Sequence, residues 1–211
     1  MKSIPMIFNT EMVQALLSGN KTVTRRPSKK EITYSKNGGF ICDGYMHGIG
    51  FTHEETMRNF TSSKYAPVKV GDEIYVRETF ASLDHNLTNS THLLGKVHEV
   101  RYKASENEAL GNESDWEVRG YKWHPSIHMP KWASRITLKV TDVRVERVQD
   151  ITEEQSIKEG VYPAFPSSLV MPHRTSFMDL WDDIYPFTWC HNPYVWVIAF
   201  EVIKPNTESV N

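Results

Sequence analysis

The chain is expected to fold as an α+β protein with a curved mixed sheet or small barrel. Three observations predict this. Two strong strand signals, "SRITLKVTDVRVERV" at residues 134–148 and "YVWVIAFEVI" at 194–203, sit in the C-terminal half. Two helical patterns lie between them, and a third follows a short strand at the N-terminus. The resulting order is strand, helix, several strands, two helices, strand, which belongs to the α+β class.

Residues 5–8 read as the first strand. In the helix that follows, Asn9 or Thr10 is the cap, Met12, Val13, Leu16 and Leu17 form one face, and Gly19 is the stop. "KTVTRR" then reads as extended chain, and Pro27 argues against a continuing helix. Residues 28–66 are polar, with "KNGG" and scattered aromatics, and suggest an insertion of loops with a hairpin. "VKVGDEIYVRETF" (68–80) turns at Gly71-Asp72 and continues as a strand in which Ile74, Val76 and Thr79 are set against Tyr75 and Arg77. "KVHEVRYKA" (96–104) is a further strand, followed by the acidic loop "SENEALGNESDWE".

In residues 134–148 the apolar phase runs Ile136, Leu138, Val140 and then Val143, Val145, Val148, as in one bent strand or two. "DITEEQSIKEG" (150–160) opens with Thr152 and Gln155 at capping-box spacing and ends at Gly160. "TSFMDLWDDIY" (175–185) carries Phe177, Leu180, Trp181 and Ile184 on one stripe. The nearly continuous apolar run 194–203 is expected inside the sheet. Trp181, Trp189 and Trp196 are assigned to the core. The expected organisation is one domain, residues 1–204, with insertions at about 28–66 and 84–131 and a polar tail at 205–211.

Composition restricts the function classes. Of 211 residues, 39% are hydrophobic and 24% charged, ordinary for a globular protein. No apolar run approaches the roughly 20 residues that span a bilayer, and residues 1–12 lack a secretory signature. A cytoplasmic protein without a membrane partner is expected, its two cysteines, Cys42 and Cys190, reduced. A net charge of −2 suits a nucleoside, nucleotide or short strand better than long nucleic acid.

"SGNKTVTRRPSKK" (18–30) stands out. It sets Thr22 and Thr24 among Lys21, Arg25, Arg26, Lys29 and Lys30, as a solvated edge strand or as one wall of a polar site. Within it, Gly19, Lys21, Thr24 and Arg26 form a G-x-K-x-x-T-x-R pattern. With "VGDEIYVRE" and "TEEQSIKEG" in the same order, this resembles the ASCH domain family, whose members have a small curved β-barrel of the PUA-like type with flanking helices. The resemblance covers residues 5–27, 67–80 and 134–203. The two insertions, and "WHPSIHMPKWASRITLKVTDVRVERVQDI" (123–151) in particular, look like the phage and prophage branch.

One bacterial branch of that family hydrolyses N4-acetylcytidine. The resemblance implies an amidohydrolase with Lys21 and Thr24 as catalytic residues, Arg26 as a substrate-binding residue and, through a local match to "TEEQSIKEG", Glu159 as the catalytic carboxylate. Thr24 supplies a nucleophilic hydroxyl, Lys21 a base once desolvated, Glu159 a proton shuttle, and Arg26 a planar fork for a phosphate, base carbonyl or oxyanion. The bland alternatives are a solvated edge strand and, for Glu159, a charged helix surface.

"HPSIHMPKWASR" (124–135) is a second candidate. His124 and His128 are four apart, but Pro125 and Pro130 oppose a helix, so no metal is expected. Stacking by Trp132 or His128 on a base, with Ser126 or Arg135 bonding its edge, stands against plain packing. Arg77 and Glu78 read as an ion pair or as rim contacts. No cofactor is expected, and the partner is a modified nucleoside or short RNA. A non-catalytic RNA or modified-base reader, and a ribonuclease using Lys21, Arg26 and His128, are the competing functions.

Overall fold

The computed structural model describes residues 1–48, 51–82, 100–107, 109, 112–113, 116–162 and 171–203. β1 (Ser3–Ile7) leads into α1 (Thr10–Leu17), where Asn9 accepts the Met12 N–H as the N-cap. Val13, Ala15 and Leu16 form its buried face, while Leu17, expected with them, is exposed. β2 (Val23–Pro27), β6 (Glu73–Arg77), β9 (Thr137–Arg147) and β10 (Tyr194–Ile203) complete the main sheet. Its order is β1-β6-β9-β10-β2. β1 runs parallel to β6, and the other pairings are antiparallel.

The α+β class is therefore observed, but the small barrel is not closed. β1 and β2 are the two edges of the sheet. The chain passes from β1 to β2 through α1, whose Val13 and Leu16 pack into the main core. Side chains bridge the two edges: Arg26 Nη2 donates to the Ile7 carbonyl at 2.6 Å, and its guanidinium lies 4.9 Å from the Phe8 ring centre.

The change of phase along β9 has a local cause. Ala199 faces Asp142 and Phe200 faces Val140, so Thr141 is an extra residue, and the inward set moves from Leu138 and Val140 to Val143 and Val145. One face of the sheet packs on α1 and carries Ile198, Trp196 and Phe200. The other carries Val23, Val195 and Val197 against Phe177 and Trp181 of a C-terminal helix.

Residues 28–66 contribute to the principal core. They form the meander β3 (Ile32–Ser35), β4 (Gly39–Cys42), β5 (Tyr45–Met46) and then α2 (His53–Thr61), a helix in a stretch whose polarity suggests loops. α2 opens on a Thr52–Glu55 capping box and inserts Phe60 between Phe40 and Trp196, with ring centres 5.2 and 5.1 Å away. Burying such a ring stabilises the fold by about 3 kcal/mol. Beyond the sheet lie β7 (Phe80–Ser82), β8 (Val100–Tyr102) and α3 (Trp116–Arg119). Residues 83–99, within the second expected insertion and the start of the "KVHEVRYKA" strand, lie outside the described residues, as do parts of the acidic loop and the tail 205–211. The last helices are α4 (Glu153–Lys158) and α5 (Pro172–Ile184). Among the described residues no helix is long and apolar enough to cross a membrane.

Candidate active site

The site begins where α1 stops. Gly19 takes φ +77°, a left-handed value that favours glycine. Asn20 and Lys21 donate their backbone N–H groups to the Ala15 carbonyl, turning the chain towards β2. α4 arrives from the other side of the sequence with the expected Thr152–Gln155 capping box and ends at Glu159. Gly160 also has φ +76°, and a Cβ there would lie 2.6 Å from Ala15 Cβ and 2.9 Å from Lys21 Cβ. Glycine therefore lets the end of α4 rest directly on α1 and Lys21. The last carbonyls of a helix need external donors. Here Thr22 N–H donates to Lys158 O at 2.9 Å and Lys21 Nζ to Glu159 O at 2.8 Å.

Lys21 is fully buried, and its Nζ also donates to Glu159 Oε2 at 2.8 Å. The other carboxylate oxygen, Oε1, accepts from Arg25 Nη1 at 3.0 Å. Arg25 Nη2 donates to Glu146 Oε2 and to Gln155 Oε1, both at 2.8 Å. Burial holds the Lys21 ammonium below its ordinary range. The Glu159 carboxylate pulls the other way, and the nearby Arg26 and Arg25 charges add to the lowering. A buried lysine poised in this way can exchange a proton more readily than a solvated one.

Strand alternation separates the neighbours on β2. Thr24 faces Ile198 on the α1 side of the sheet, whereas Arg25 faces Val197 on the α4–α5 side. Both reach the open edge of β2. Thr24, Arg25, Arg26 and Glu159 border one small recess of about 20 Å³, walled by Met12, Phe177 and Leu180 among others. That is room for about one water molecule. Next to it, a cleft of about 560 Å³ runs between α1, the end of α4 and α5, with Asn9, Asn20, Tyr162 and Ser176 in its walls. Met12, Glu159 and Leu180 border both spaces. Lys21 lines neither and reaches them through Glu159.

The structure thus brings Lys21 onto Glu159 and sets Thr24 and Arg26 at the same recess, with Arg26 held by the Ile7 carbonyl. Ser126, His128, Trp132 and Arg135 stand elsewhere, and none borders the recess or the cleft. Ser126 and His128 form a short 3-10 turn with His128 exposed, and Trp132 is half exposed in the next turn. Arg77 Nη2 donates to the Ile127 carbonyl and ties that turn to β6. Arg135 grips Glu78 through two bonds of 2.9 Å, donates to Ser105 Oγ, and lies 4.0 Å over Tyr102. His124 pairs through its backbone with Phe80. Among the described residues no group of three or more His, Cys, Asp or Glu is placed to hold a metal ion. Lys30 forms an exposed pair with Asp43, and both cysteines are free thiols.

Sequence reasoning passed over Arg25 and Glu146. Alternation could have separated Arg25 from Arg26, since neighbours on a strand face opposite ways. Nothing local marks Glu146, on a strand more than a hundred residues away. No protein-family model, curated protein or solved structure matches the chain.

Proposed function

We propose that the chain is a hydrolase that removes an acyl group from the exocyclic nitrogen of a modified pyrimidine nucleoside, with an N4-acetylcytidine-like substrate. One observation carries this reading: a fully buried lysine meets a buried carboxylate at 2.8 Å beside a recess that Thr24 also borders. Ionisable groups perturbed by burial and held by specific partners cluster at functional sites.

In the proposed reaction Thr24 Oγ attacks the acyl carbon and gives its proton, through the Glu159 carboxylate, to neutral Lys21 Nζ. The carbon–nitrogen bond then breaks as the base nitrogen takes a proton through Glu159, leaving an acyl ester on Thr24. Water attacks that ester, a carboxylic acid departs, and the Thr24 hydroxyl is regenerated. The Nε atoms of Arg26 and Arg25, both on the recess, are buried without partners, and Arg26 Nε is assigned as a donor to a substrate oxygen. The reading requires Met12 and Leu180, which border both spaces, to move apart so that the reacting amide enters the recess.

A specific observation favours a second reading. The recess holds about one water, whereas the cleft of about 560 Å³ has the size of a small-molecule site and does not include Thr24. A cytoplasmic reader of a modified base or short RNA would use such a cleft without chemistry.

Incubation with N4-acetylcytidine, followed by chromatography, separates the two. The hydrolase reading expects cytidine and acetate, and an absence of turnover on this and related acylated cytidines would overturn it. Binding without turnover, kept by Thr24→Ala and weakened by Asn20→Ala in the cleft wall by about 0.5–1.5 kcal/mol, would establish the reader. Shortening of labelled RNA, lost in Lys21→Met, would instead identify a nuclease.

A further inference from the structure

We propose that Arg25 is a positioning residue of this site: its fork holds one oxygen of the Glu159 carboxylate and leaves Lys21 only the other. The proposal rests on the hydrolase reading above and assigns within it a residue that the G-x-K-x-x-T-x-R pattern does not contain.

The geometry is specific. A carboxylate beside a lone ammonium can turn and offer it either oxygen. Here Arg25 fixes Oε1 at 3.0 Å while Lys21 takes Oε2 at 2.8 Å. Arg25 cannot follow a rotating Glu159, because Nη2 is anchored to Glu146 on β9 and to Gln155 on α4. Glu146 is held in turn by Arg144 Nε at 2.5 Å. The charged and titratable groups around Arg25 are Glu159 and Glu146, which it bonds, Lys21 across the Glu159 carboxylate, and Arg26 and Tyr185, which border the same recess. On the α5 side the guanidinium lies 5.9 Å from the Phe177 ring centre. Arg25 therefore fixes the plane of Glu159 and sets a second positive charge against protonation of Lys21.

A merely structural Arg25 would pin β2 to α4 without altering Lys21, and this separates the two roles. The experiment follows the Lys21 side-chain resonances of the full-length, lysine-labelled protein through an alkaline titration in wild type, Arg25→Gln and Arg25→Lys. Arg25→Gln is expected to move the Lys21 titration upward, because a repelling charge is removed and the second Glu159 oxygen is released to the ammonium. Arg25→Lys keeps a cation and is expected to restore the titration towards wild type. On N4-acetylcytidine, Arg25→Gln should lower kcat at neutral pH at least about tenfold with little change in KM. A folded Arg25→Gln protein whose Lys21 titrates as in wild type would overturn the proposal. Should that variant not fold, Arg25→Met, which keeps the apolar stem beside Phe177, carries the same expected shift and the same refutation. Absence of turnover in wild type would remove the hydrolase reading alone, since the titration judges Arg25 without any activity.

Discussion

Glu159 and Glu78 are both nearly excluded from water, at 3% and 1% exposure, and both are held by an arginine, yet their surroundings differ. Arg135 meets Glu78 fork to fork, with two bonds of 2.9 Å and its guanidinium over Tyr102. One negative charge faces one positive charge there, and the pair borders neither described space near β2. Glu159 is shared by an ammonium and a guanidinium, takes a second contact from Lys21 through its backbone carbonyl, and borders both a recess and a cleft. A buried ion pair alone is weak grounds for a site, because such pairs also serve to fix a fold. The second cation, the depressed lysine and the empty volume distinguish the Glu159 cluster.

The largest expected effect is on that cluster. Glu159→Gln leaves the Lys21 and Arg25 charges without their shared partner and should cost about 3–5 kcal/mol in urea unfolding, the range for breaking a buried pair. Glu78→Gln should cost less, about 1–3 kcal/mol, because Arg135 is partly exposed and keeps its bond to Ser105. Nucleoside turnover in Glu78→Gln should stay at the wild-type level. Equal losses of stability, or a loss of turnover at Glu78, would erase the distinction between the two carboxylates.

A smaller effect is expected at Glu153, which caps α5 from α4: its oxygens accept the backbone N–H groups of His173 and Arg174 at 2.9 and 2.8 Å. Glu153→Gln should cost about 1 kcal/mol, the usual scale for a cap. The finest comparison concerns pH. Burial lowers Lys21 below 10.5, so the unfolded chain holds that proton more tightly than the folded one. The resulting penalty is full below the folded value and fades as pH rises towards 10.5. Wild type should therefore gain stability relative to Lys21→Met across that alkaline window, measured by urea midpoints. A flat difference would mean that Lys21 is not depressed.

How far the sequence announced these features depended on whether the signal was local. Asn9 and the Thr152–Gln155 box mark helix starts because a side chain bonds its own next turn. The phase change between Val140 and Val143 foreshadowed a bend whose cause, the extra Thr141, becomes visible only against β10. α2 carried the same kind of box, Thr52 with Glu55, but lay in a polar stretch that exposes most of its surface and buries little beyond Thr56 and Phe60. The meeting of Lys21 with Glu159 was expected from a resemblance, and chain geometry explains how it arises, through two glycines in left-handed conformation. Barrel closure was not legible, because no local pattern says whether β1 pairs with β2. Glu146 was equally hidden, since only the β9–β10–β2 register brings it to Arg25.

The most direct test of the account is to look for the acyl group on Thr24. Wild-type, Glu159→Gln and Thr24→Val proteins would be quenched during incubation with N4-acetylcytidine and examined by peptide mass spectrometry. The account predicts an acetylated peptide containing Thr24 in wild type, none in Glu159→Gln, where the leaving nitrogen lacks its proton route, and none in Thr24→Val, which should also release no acetate. Acetate released at an undiminished rate by Thr24→Val would contradict it.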